Sequence, residues 1–163
     1  MARRRHERGR RETGSRRPTS EAEAIGHLVE RVPALRPLLD AHLAEYGELL
    51  PYVLFESDFM RWFGARARAP AARDELRAFL DAVEVLMTTD AEPPAIDPVR
   101  NLAGVAFVEH LALADVGALH RAGPWLGPET LRAFEEAFPH ALARDPQPGK
   151  HGSPARRPRP PTG

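Results

Sequence analysis

The chain has 163 residues, 23 basic and 23 acidic side chains, a formal net charge of zero and no cysteine. The length allows one domain, and the lack of cysteine excludes a disulfide framework and a thiolate metal site. No apolar run reaches the roughly 18 residues of a membrane-spanning helix, and the N-terminus lacks the apolar core of a secretory signal, so the expected location is the cytoplasm.

The zero net charge hides an asymmetry. Residues 1–18 hold eight Arg and two Glu; residues 144–163 hold four Arg, one Lys, one Asp and six Pro. Neither end has enough apolar surface to offset the entropy of ordering, so both are expected to be disordered basic tails. Between them, residues 19–143 carry 20 acids against 10 Arg. The expectation is an acidic folded body, large enough for one self-supporting core.

In that body the apolar spacing is helical almost throughout. Ser20 with Glu23 forms a capping box, and a helix over 21–31 follows, with Ile25, Leu28, Val29 and Val32 inward. Pro33 breaks it. A second helix over 34–46 puts Leu35, Leu38, Leu39, Leu43 and Tyr46 on one side, tolerates Pro37 in its first turn and stops at Gly47. A third runs over 50–67, with Phe55, Phe59, Trp62 and Phe63 on one ridge. Asp74 is the expected cap of a fourth, 75–88. Asp97 followed by Pro98 starts a fifth, 98–113. Shorter helices over 115–121 and 128–137 flank a turn in which Trp125 and Leu126 form an apolar plug. No segment alternates at period two. The fold class is therefore all-α: a compact single-domain bundle of five to seven helices over 19–143.

Candidate site residues are few. In "ELLPYVLFESDFMRWF", 48–63, the aromatic ridge is what a core helix requires, and Asp58 with Arg61 makes a local ion pair. Tyr52, Glu56, Asp58, Arg61 and Trp62 could also flank a partner or ligand site, because aromatics among charges are hot-spot chemistry. Glu109 lies seven residues after Leu102 and four after Val105, so regular helical spacing puts it on the apolar stripe. There it would pair with an Arg or act as a base with a raised pKa. Glu84 stands in a similar position beside Val83 and Met87.

A bundle metal site needs convergent carboxylates and Glu-x-x-His motifs. The chain has a single reversed His42-x-x-Glu45 and an adjacent Glu109–His110 pair, so no metal or other cofactor is expected. Phosphate-loop, dinucleotide and nucleophile-elbow signatures are absent. No catalytic residue is assigned, and the balance leans away from an enzyme.

Taken together, Leu49-Leu50-Pro51-Tyr52, Asp58, Arg61-Trp62, Glu84, Phe107 with Glu109, and Leu126-Gly127-Pro128 resemble a family of small uncharacterised bacterial helical proteins, a domain of unknown function. The resemblance spans about residues 35–138. Val83 precedes Glu84 where the family pattern has Leu, and Tyr52 stands where the pattern also admits His. The resemblance implies a helical fold and no activity.

The function expected first is a protein-interaction module, immunity-like by analogy of size and charge, whose acidic surface complements a basic toxin or other protein partner. The alternative is a ligand-binding protein or enzyme with an interhelical pocket built from Tyr52, Asp58, Glu84 and Glu109. The third is nucleic-acid contact by the Arg-rich tails. No membrane contact is expected.

Overall fold

The computed structural model describes residues 16–88 and 95–143, and these form a helical bundle with no strand among them. The tails read from composition lie outside the described residues, except for Arg16, Arg17 and Pro18. The guanidinium of Arg17 bonds to the carboxylate of Asp97, so this part of the assigned tail is bound to the body.

Seven helices occur among the described residues. Helix α1 is Glu21–Arg31. Ser20 caps it by accepting from the Glu23 amide, while the Glu23 carboxylate reaches back to the amide and hydroxyl of Thr19. The capping box thus forms with its return arm one residue earlier than expected. A 3₁₀ turn, Pro33–Leu35, leads into α2, Arg36–Tyr46. Gly47 ends α2 at φ +74°, in the left-handed region that glycine enters without penalty.

Helix α3 spans 51–67 and α5 spans 98–113. Each contains a π-helical stretch, Leu54–Phe59 in α3 and Gly104–Glu109 in α5. Between them α4, Arg73–Met87, begins two residues earlier than expected, and Asp74 lies in its first turn instead of capping it. Asp97 caps α5 as its sequence requires, accepting from the amides of Val99 and Arg100. The chain then turns by 107° into the segment that begins with α6, Val116–Ala122. Helix α7 is Pro128–Ala137. No single helix among the described residues is long and apolar enough to cross a membrane.

Helix α4 lies at the centre, touching α1, α3, α5 and α7. The core around it is built on phenylalanine. Phe55, Phe59 and Phe63 from α3, Phe79 from α4 and Phe107 from α5 are all fully buried. Phe63 lies 5.3 Å from both Phe79 and Phe107, edge-on to the latter. Truncating one such ring to Ala typically costs about 3–5 kcal/mol. Trp62 belongs to the same construction. Its ring sits 5.6 Å from Phe79, and Arg66 lies over it at 5.4 Å while pairing with Glu75 at 2.8 Å.

The π stretch of α5 decides where its polar residues go. Val99, Leu102 and Ala103 before it, and Ala106 within it, are buried, a regular helical stripe. Continued at 3.6 residues per turn, that stripe would next bury 109 or 110. The buried residues are instead Phe107, Val108, Leu111 and Ala112. The wider turn inserts one residue and rotates everything after it. Glu109 is therefore exposed, which corrects its expected place on the apolar stripe.

Candidate interaction surface

The charged residues singled out from sequence fall in separate places. Glu84 is a structural clamp. Its Oε1 accepts from the Glu129 amide at 2.7 Å, and its Oε2 accepts from the Thr130 amide at 3.0 Å and the Thr130 hydroxyl at 2.7 Å. These are unpaired donors of the first turn of α7, and a carboxylate at the positive end of a helix is favoured. Gly127 precedes that turn, and a β-carbon there would run into the Glu84 carboxyl group. Glu84 and Leu126-Gly127-Pro128 are therefore two halves of one device, joining α4 to α7.

Asp58 pairs with Arg61 at 3.5 Å, as its spacing required, in an exposed i,i+3 bridge. Tyr52 accepts a 2.7 Å hydrogen bond at its hydroxyl from the Asn101 amide group, tying α3 to α5. Glu109 faces a cleft between α5 and α7. Asp58, Arg61, Glu84 and Glu109 do not meet, so no single pocket is built from them.

Glu56 and Arg61 line a polar hollow of about 310 Å³ between α3, the end of α5 and the turn that follows it, with Ser57, Arg68, His110 and Asp115. Much of that polarity is already engaged. Asp115 caps α6 by accepting from the Ala118 amide at 2.9 Å and pairs with Arg68 at 3.6 Å. His42, the residue that sequence placed in a reversed metal-like motif, is 2% exposed and accepts the Leu50 amide at its Nε2. It closes the 47–50 turn. Among the described residues no group of three His, Asp or Glu could hold a metal ion.

The feature that stands apart is the surface of α2 and the start of α3. Sequence put Leu35, Leu38, Leu39, Leu43 and Tyr46 on one side. Leu35 is buried and Leu38 and Leu39 are half-buried, but Leu43 is 40% exposed and Tyr46 46%. From Asp40 to Glu48 only His42 is buried. Val53, at the start of α3, is 39% exposed. Residues 37–60 contain Asp40, Glu45, Glu48, Glu56 and Asp58 and no Lys or Arg. The charges act on the ring at the centre: Glu45 first, and Asp58 more weakly, push the Tyr46 phenol above its ordinary pKa. Tyr46 in turn stacks on His42, with ring centroids 4.7 Å apart. The result is an apolar strip with an aromatic anchor, bordered by carboxylates.

Leu43, Tyr46 and Val53 were not among the sequence candidates. Their exposure depends on how far α2 is covered, which periodicity does not report. The absence of cations from 37–60 was the legible signal.

The family described as "Domain of unknown function (DUF7674)" matches residues 25–140. No curated protein and no solved structure matches the chain.

Proposed function

We propose a protein-docking role for this chain, which belongs to the DUF7674 family of domains of unknown function. The docking face is the acid-bordered strip of α2 and the start of α3, and the partner is a basic protein. One observation carries the proposal: Leu43, Tyr46 and Val53 stay open to solvent inside a 37–60 stretch with five carboxylates and no cation. A half-covered tyrosine gives a large contact area at low entropic cost, and aromatic anchors dominate binding energy at interfaces. The surrounding carboxylates speed encounter with a basic surface and reject acidic ones. An immunity-type inhibitor, covering the basic face of a toxin in the bacterial cytoplasm, is the concrete form of this role.

The test is a complex with the basic protein that copurifies with the wild-type chain, measured by titration in a salt series. Affinity should fall as ionic strength rises, and the pair Leu43→Ala with Tyr46→Ala should abolish binding while leaving the fold intact. Binding that is insensitive to salt and to both substitutions would defeat the proposal.

A further inference from the structure

A different part of the molecule, sharing no residue with that face, has the form of a small-molecule site. A cleft of about 470 Å³ runs between α5, α7 and the segment 95–97, within the ~300–1,000 Å³ range of small-ligand pockets. Val105, Val108, Ala133 and Phe138 give it apolar walls, and Ile96, 81% exposed, stands at its mouth. Gly104, Val105, Val108 and Glu109 all come from the π stretch of α5. Single π turns of this kind are frequent at functional sites. Here the turn takes Glu109 off the core stripe and sets it at the cleft. At Gly104 a β-carbon would meet nothing within 4 Å, so the backbone there borders open space.

The charges of the cleft specify the ligand. Asp97 is held by Arg17 and by the amides it caps. Arg100 faces Glu136 at 3.8 Å. Glu109 is left with no opposite charge against it among the described residues. An apolar trough with one carboxylate that has no cation against it among the described residues suits a cation with an apolar body. An anion would have to displace Glu136 from Arg100 and sit near Glu109.

We infer that this cleft binds a small organic amine, its hydrocarbon part against Val105, Val108 and Phe138 and its ammonium group against Glu109. The ammonium makes a charge-assisted hydrogen bond to the carboxylate, and the apolar body gains from leaving water.

Phenethylamine and its matched anion hydrocinnamate separate charge from shape. Each is titrated into the full chain with methyl groups labelled for NMR. Phenethylamine should move the methyl signals of Ile96, Val105, Val108 and Ala133 saturably, and hydrocinnamate should leave them in place. Glu109→Gln should weaken the amine about tenfold or more, the scale of one charge-assisted hydrogen bond. Because Glu109 is exposed and its side chain makes no hydrogen bond or ion pair among the described residues, this variant should stay folded. Three results would each overturn the inference: equal shifts by the anion, amine shifts confined to the acidic α2 surface, or undiminished binding by the Glu109→Gln variant.

Discussion

Carboxylates do opposite things at the α4–α7 junction and on the α2–α3 face. At the junction, Glu84 spends both oxygens on three donors of the next helix, and Gly127 is bare so that it can. On the face, Asp40, Glu45, Glu48 and Glu56 make no ion pair among the described residues, and the apolar groups between them remain half open. The first arrangement is complete within the chain. The second is, in the proposed role, completed by a partner, so substitutions at the two places should separate stability from binding.

The largest effect is expected at Gly127→Ala. The added methyl group must push the clamp apart, and overpacking of this kind costs about 1–3 kcal/mol. Glu84→Ala, leaving the nearly buried Thr130 hydroxyl without its acceptor, should cost a similar ~1–3 kcal/mol. Urea unfolding of both and of the double variant gives the cycle. The double variant should lose clearly less than the sum, since the methyl group has nothing to hit once Glu84 is shortened. Strict additivity would show that the two residues do not form one device.

His27, buried in α1, gives a smaller, pH-dependent effect. It is 7% exposed, and its Nε2 is buried without a hydrogen-bond partner among the described residues. Burial first, and Arg31 second, hold its pKa below the ordinary imidazole value of 6.5, with Glu30 opposing. The unfolded chain therefore binds the proton more readily. The stabilisation due to neutral His27 is complete above about pH 6.5 and is lost as pH falls through the lower folded value. Denaturation midpoints should drop over that window in the wild type, and His27→Gln should remove this component of the fall.

The smallest stability change belongs to the face. Leu43→Ala with Tyr46→Ala should shift unfolding by no more than about 0.5 kcal/mol per site, as expected of surface positions. Breaking the exposed Asp58–Arg61 bridge with Asp58→Asn should cost only ~0.2–0.5 kcal/mol. A large loss at Tyr46 would mean that the ring supports the fold, and would bring the face into line with the junction.

The same contrast explains what the sequence disclosed. Local chemistry was legible: Ser20, Asp97 and Gly47 each end or begin the helix that their side chains or backbone freedom suit. The phenylalanine ridge of α3 followed from helical period, as did the Asp58–Arg61 bridge. Glu84 was legible as unusual but not as a clamp, since its donors lie 45 and 46 residues away. Glu109 was misplaced because a π turn adds one residue that no periodic pattern announces, although a glycine at 104 inside an apolar helix marked the spot. Leu43 and Tyr46 looked like core because they keep the spacing of core; only the packing around α2 shows that the described residues leave them half exposed.

Site-specific photo-crosslinking tests the docking face most directly. A photoreactive phenylalanine analogue replaces Tyr46 in one variant and the exposed Arg77 of α4 in another, and both are irradiated in the producing cells. A single basic protein should be joined through position 46 and not through position 77, and its purified complex should weaken with salt and with Leu43→Ala. Crosslinks of equal yield from both positions, or a partner joined through 77 alone, would contradict it.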